Sequence, residues 1–132
     1  MLTGGCFCGA IRYEAGGDPA YETYCHCSIC RRTTGAPLVA WFTVPRAELR
    51  VVHGTPTRFA STPLATRTFC PTCGTQLTFE HRDFPRWIDV TTGSLDDPEA
   101  LPPKDHTHTR SRLAWVRLAD ELPEFRESRS EA

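Results

Sequence analysis

Seven cysteines, Cys6, Cys8, Cys25, Cys27, Cys30, Cys70 and Cys73, run along the chain as C-x-C, then C-x-C-x-x-C, then C-x-x-C, with none outside these groups. Sulfurs one or two residues apart close readily on a single ion. A disulfide instead asks for Cα atoms roughly 4.4 to 6.8 Å apart and suitably aimed side chains, which such near neighbours rarely supply. An odd count would also leave one thiol unpaired in a secreted protein, and the start Met1-Leu2-Thr3-Gly4-Gly5 lacks the basic and apolar regions of a signal peptide. The expectation is a metal-binding protein of the reducing cytoplasm.

At 132 residues the chain is expected to form one domain, which on size alone buries about two-thirds of the surface of its unfolded form. Eleven prolines, one methionine and 39% hydrophobic residues leave no room for the long amphipathic runs of a helical bundle, and bound metal would supplement a modest core. A net charge of −1 gives no global basic surface, so nucleic acid is not an expected partner. The longest nearly unbroken apolar stretch, Ala36 to Val44, is far short of the roughly 20 residues that cross a bilayer, so no membrane partner is expected either.

Alternating apolar and polar residues predict a strand over Ala10 to Ala15, ended by Gly16-Gly17-Asp18-Pro19. Further strands are predicted over Glu22 to His26, Leu38 to Val44, Leu49 to His53, Thr57 to Ala60, Ala65 to Phe69, Gln76 to His81, Trp87 to Thr92 and His106 to Arg110, rich in β-branched and aromatic residues. Prolines and glycines fall between them. The expected fold is mainly β, a small antiparallel β-sandwich zinc-binding domain with short helical turns after Ser28, at Arg46-Ala47-Glu48 and over Asp97 to Leu101. The domain is expected to span residues 1–125. The tail 126–132 has no apolar residue but its last and is expected to fray.

Cys70-Pro71-Thr72-Cys73-Gly74 has the form of a zinc knuckle, two thiolates on one side of a tight turn with Gly74 able to take positive φ. Gly5-Cys6-Phe7-Cys8-Gly9 supplies another pair if the segment is extended, since alternate strand residues point the same way. Together they complete a tetrahedral four-thiolate structural site. Cys25, Cys27 and Cys30 would then hold a second ion with one position open, the pattern of catalytic zinc. The alternative, a structural site completed by a histidine or carboxylate, stays open, as does a partition pairing Cys6 and Cys8 with the Cys25 cluster. Four plus three is preferred because it closes one site completely.

A divalent ion with three thiolates carries one net negative charge, and Arg31 and Arg32 directly after Cys30 are candidates to balance it or to bind a substrate carboxylate. His26 should point away from its neighbouring cysteines. His106 and His108 would share one strand face, where His106 is a candidate fourth ligand, proton shuttle or substrate contact. His53 and His81 receive no role. Trp41, Phe42, Trp87 and Trp115 read as core or pocket wall, and Asp96, Asp97 and Glu99 around Pro98 as capping residues.

Gly5-Cys6-x-Cys8-Gly9-x-Ile11-x-Tyr13, Cys25-His26-Cys27-x-x-Cys30-Arg31 and Phe69-Cys70-x-x-Cys73-Gly74-Thr75 together resemble the glutathione-dependent formaldehyde-activating enzyme family, which also includes centromere protein V. Thr92-Gly93-Ser94-Leu95-Asp96 and the late stretch Trp115 to Pro123 add to the resemblance, which spans roughly residues 4 to 125. It implies a β-sandwich with two zinc ions per chain, Cys6, Cys8, Cys70 and Cys73 at the structural one and Cys25, Cys27 and Cys30 at the catalytic one. The implied reaction is that of a carbon-sulfur lyase, in which glutathione or a similar thiol adds to formaldehyde or another small aldehyde and gives an S-hydroxymethyl adduct. The chain is shorter than formaldehyde-active members and lacks a dense basic cluster for an anionic tripeptide. The rival expectation is a zinc-stabilised binding module for a protein or chromatin partner, against which the acidic balance counts in the chromatin case. A zinc-buffering or redox-responsive role ranks last, because metal-bound thiolates are protected.

Overall fold

Ten short strands and one helix make up the computed structural model, which describes residues 1–129. In chain order they are β1 (Leu2–Gly5), β2 (Arg12–Ala15), β3 (Ala20–Cys25), α1 (Ser28–Thr34), β4 (Val39–Pro45), β5 (Leu49–His53), β6 (Thr57–Thr62), β7 (Ala65–Phe69), β8 (Gln76–His81), β9 (Trp87–Thr91) and β10 (Asp105–Thr107). Two sheets result, a three-stranded one in the order β1-β2-β5 and a seven-stranded one in the order β10-β3-β4-β9-β8-β7-β6. The antiparallel expectation holds with one exception. β10 runs parallel to β3, placing Thr107 opposite Cys25.

Strand alternation sends successive side chains of β4 to opposite faces of the large sheet. Phe42 and Val44 join Ile11, Tyr13, Ala15, Leu77, Ile88, Val90 and Leu95 in the main core, to which both sheets contribute and which also contains Cys6 and Cys70. Burying each large side chain of this set is worth about 1.5–3 kcal/mol. Val39 and Trp41, on the other face, pack with Cys25 and Cys30 in a second, smaller cluster that Cys27 and Phe79 adjoin. One group of cysteines is thus built into each face.

Four expectations need correction. β1 is not among the strands predicted from alternation. Gly4 is required by close approach: a Cβ there would clash with the Tyr13 hydroxyl and lie 2.5 Å from the Ser94 carbonyl oxygen. The strand predicted over His106 to Arg110 stops at Thr107, where His108 turns to φ +53° and a 3-10 turn follows over Thr109–Ser111. His106 and His108 therefore do not share a strand face. Trp115 is 70% exposed and belongs to no core, whereas Trp41 and Phe42 are buried as expected.

The fourth correction concerns the tail. The Glu127 carbonyl accepts from the His108 N–H at 2.8 Å, the Arg126 carbonyl from the Arg110 N–H at 3.1 Å, and Arg129 forks onto Asp105 at 2.7 and 2.9 Å. Arg129 also lies over the Tyr21 ring, 4.9 Å from its centroid. Residues 130–132 of the expected tail lie outside the described residues. No helix among the described residues is long and apolar enough to cross a membrane.

Candidate metal centres

The sulfurs of Cys6, Cys8, Cys70 and Cys73 all lie within 4.8 Å of one another, a set that could hold a metal ion. Two thiolates on one tetrahedral ion at about 2.3 Å stand about 3.8 Å apart. The Cys6–Cys8 and Cys8–Cys70 sulfur separations are 3.6 and 3.8 Å, and all seven cysteines are free thiols rather than disulfides. The fold thus draws Cys6 and Cys8 to Cys70 and Cys73. The residues fit zinc, with four soft donors at tetrahedral edge lengths.

Two loops make this cluster. Cys70 to Thr75 closes through N–H donation from Cys70 to the Thr75 carbonyl and from Gly74 to the Cys70 carbonyl, with Gly74 at φ +82° as its knuckle form required. The N–H groups of Thr72 and Cys73 point at the Cys70 sulfur at 3.3 and 3.4 Å. Cys6 and Cys8, expected on an extended strand, lie instead in the turn between β1 and β2, which closes as the Gly9 N–H donates to the Cys6 carbonyl. There the Ile11 N–H reaches the Cys6 sulfur at 3.2 Å, so this loop imitates a second knuckle. The Phe7 N–H donates to the Thr75 hydroxyl and joins the loops. That hydroxyl, then the backbone N–H groups of Thr75 and Cys8, bring the Cys73 thiol down to about 5, so it is ready to bind as thiolate at neutral pH.

The other three sulfurs gather where the chain passes from β3 into α1. Cys25 ends the strand, Cys27 caps the helix and Cys30 lies in its first turn. The Cys25 and Cys30 sulfurs are 3.6 Å apart, again a tetrahedral edge length. Cys27 is drawn far below the ordinary thiol range by contacts with the Cys25 and Cys30 sulfurs, helped by the N–H groups of Cys30 and Ile29. Cys25 is pushed up by its contacts with Cys27 and Cys30 and by burial. A single thiolate charge thus settles first on Cys27.

Arg31 and Arg32, expected to balance this centre, do not approach its sulfurs. Arg31 reaches the Ser111 carbonyl at 3.4 Å and Arg32 is exposed. The cation at the site is Arg67 of β7, only 3% exposed, whose Nη1 and Nη2 stand 3.6 and 3.5 Å from the Cys30 sulfur. Its guanidinium lies 4.8 Å from the Phe79 ring centroid and 6.0 Å from that of Trp41. A sequence signal existed: an arginine at an inward position of a strand with no acid beside it.

His26 and His106 are both 1% exposed and belong to a third arrangement. Asp120 accepts from His106 Nε2 at 2.9 Å, and His106 Nδ1 lies 2.9 Å from His26 Nε2. A carboxylate only accepts, so the hydrogen of the His106–Asp120 bond is on His106 Nε2. His26 is neutral: burial, then the charge of Arg112, holds it down to about 4. His26 points away from the sulfurs as expected, and no metal-capable group among the described residues includes it. His106, a candidate substrate contact, is enclosed by Asp120, His26 and Tyr24. Nothing in the sequence around Asp120 announced it.

A cleft of about 470 Å³ runs beside α1, lined by Thr33, Thr34, Val39, Cys73, Gln76 and Thr91 among others, without any acidic or basic side chain.

The sequence profile of the glutathione-dependent formaldehyde-activating enzyme family matches residues 1–111. A Halomonas elongata protein bearing a provisional glutathione-dependent formaldehyde-activating enzyme name is 28% identical over 127 residues, covering 89% of this chain and 81% of that protein. A Schizosaccharomyces pombe protein named as an uncharacterized lyase is 31% identical over 78 residues, 59% of this chain and 56% of that one. A crystal structure of a Rhodobacter sphaeroides protein superposes with a TM-score of 0.56 at 30% identity, covering 92% of this chain and 98% of that chain.

Proposed function

The chain belongs to the glutathione-dependent formaldehyde-activating enzyme family, and from that premise we propose that it joins a small thiol, glutathione first among candidates, to formaldehyde. The sulfur adds to the aldehyde carbon, the C=O π bond opens, and the thiol proton ends on the oxygen, leaving an S-hydroxymethyl adduct. The observation that carries this reading is the unequal division of cysteines: Cys6, Cys8, Cys70 and Cys73 converge in one centre, and the remaining three lie apart from it around α1, with the Cys25 and Cys30 sulfurs 3.6 Å from each other.

Two zinc ions per chain follow from this division. Cys6, Cys8, Cys70 and Cys73 would hold the structural ion, and Cys25, Cys27 and Cys30 the one that leaves a position for substrate. Zinc at the second centre supplies a Lewis acid that makes a neutral thiol a competent nucleophile. The protein's part is placement. α1 carries Cys27 and Cys30 and β3 carries Cys25. The hydroxyl-lined cleft at the end of α1 includes Cys73 and none of these three, so it would take only the part of a peptide thiol distant from the sulfur. Because that cleft lacks cations, a neutral thiol should compete well with glutathione. Seven unpaired thiols suit a reducing compartment, so we place the protein in the cytoplasm.

The test is exchange spectroscopy with ¹³C-formaldehyde and a panel of thiols, with zinc-loaded protein against buffer. Faster adduct formation with at least one thiol, lost in Cys27→Ser, is the expected result. A rate equal to the spontaneous one for every pair, in protein holding two zinc ions, would overturn the enzyme reading and leave a zinc-stabilised binding module in its place.

A further inference from the structure

Arg67 is a buried cation that makes no ion pair with a carboxylate among the described residues. Its Nε donates to the Ser61 hydroxyl at 3.3 Å, and both terminal nitrogens converge on one sulfur, that of Cys30. Arginine does not deprotonate in proteins, and a desolvated charge needs an anion or an equivalent polar partner. The faces of Phe79 and Trp41 supply part of that. The remainder falls to the Cys30 sulfur, which alone is in direct contact, and at longer range to the Asp89 carboxyl, one strand beyond Phe79 in the same cross-strand row.

The three sulfurs are not equivalent in this respect. Cys27 receives backbone N–H groups from Ile29 and Cys30, and Cys25 receives one from Cys27, whereas Cys30 alone faces a full positive charge. A divalent ion with three thiolates carries one negative charge, and the guanidinium brings the centre to neutrality. A fourth ligand that is itself a thiolate then leaves a single negative charge instead of two. A neutral fourth ligand, such as imidazole, gains no such advantage.

We propose that Arg67 is a positioning and specificity-determining residue of the Cys25, Cys27 and Cys30 centre, holding Cys30 and selecting an anionic sulfur donor as the fourth ligand. This rests on the reading of that centre as the thiol site. It explains why a guanidinium is buried here, and it locates thiol preference in the first residues beyond the ligands instead of in the cleft.

Cobalt-substituted protein separates the two claims. Wild-type protein is titrated with glutathione, with 2-mercaptoethanol and with imidazole while charge-transfer and d–d bands are recorded. Arg67→Met should weaken both thiols about 10- to 100-fold, the usual cost of removing a partner of a metal ligand, and leave imidazole affinity within about twofold. Arg67→Lys, which keeps the charge, should recover most of the loss. The bands of the four-sulfur centre serve as the control for folding, and Arg67→Gln takes the place of the methionine variant should that one fail to show them. Equal losses for thiols and imidazole, or no loss for either, would overturn the role of Arg67 while leaving the thiol site intact. A lysine variant no better than methionine would overturn the charge argument. A wild-type spectrum that ignores every thiol would instead remove the reading on which the proposal stands.

Discussion

Asp89 pairs in register with Thr43 on the face of the large sheet that carries Trp41, and the Thr43 hydroxyl donates to its Oδ1 at 2.6 Å. Burial outweighs that bond and pushes the carboxyl up to about 6. In the unfolded chain it titrates near its ordinary value of about 3.9. Between these two values the folded state holds the proton more tightly, so stability falls as pH rises through about 4 to 6, and the full penalty is present above 6. Asp89→Asn keeps an acceptor for Thr43 and removes the charge. Urea melts of zinc-loaded variant and wild type should already differ near pH 5 by about half of the final amount and diverge to about 1–3 kcal/mol in favour of the variant by pH 7.5. Taking the difference cancels the acid loss of metal common to both proteins. A difference that does not grow with pH would remove Asp89 from the list of strained groups. The same residue scale shows where sequence reading stopped. The seven cysteines were legible because their spacing is local. Arg67 meets Cys30 across 37 positions and Asp120 meets His106 across 14; the inward place of Arg67 on its strand marked it as buried but did not name its partner, and Asp120 carried no mark at all.

Strands β5, β7 and β8 fall where alternation predicts them, residue for residue, because β-branched and aromatic runs between turn signals decide them locally. β1 escaped notice because its glycines are set by a distant partner. Tyr13 brings its hydroxyl to 2.7 Å from the Ser94 hydroxyl directly over Gly4. Gly4→Ala should break this contact and cost about 2–4 kcal/mol by thermal or denaturant unfolding. Gly93→Ala, where a Cβ would meet nothing within 4 Å and φ is not positive, should change stability by no more than about 0.5–1 kcal/mol, in the stabilising direction if anything. Equal effects of the two substitutions would show that β1 does not press on β2 in solution as tightly as the structure places it. The parallel pairing of β10 with β3 was equally hidden. Three residues suffice for that strand, and what fixes it lies more than eighty positions away.

At the scale of the molecule the two cysteine centres divide the labour. One holds the turn between β1 and β2 to the loop before β8, residues more than sixty positions apart, and sits at the edge of the main core. Structural zinc sites of this type contribute apparent binding free energies of about 10–16 kcal/mol, which in a small domain exceeds the usual net stability. Cys70→Ser should therefore abolish the cooperative melt or send the protein into aggregates. Cys27→Ser should keep a cooperative melt with one zinc lost by elemental analysis. Indistinguishable melts and zinc contents would mean that neither centre closes the fold alone. The sandwich was legible from strand spacing, whereas the anchoring of residues 126–129 onto Asp105, Tyr21 and the turn after β10 was not, since a polar tail gives no pattern by which to anticipate its docking. The spans of the two centres also set an order in time. A nascent chain exposes Cys25, Cys27 and Cys30 together within six residues of synthesis, but Cys6 and Cys8 must wait for Cys73. On the proposed reading, metal captured during translation would therefore reach the Cys25, Cys27 and Cys30 centre first, at a stage when the sheets that bury it do not yet exist. If both centres hold zinc as proposed, the cell would supply it to a chain whose open site is also its earliest.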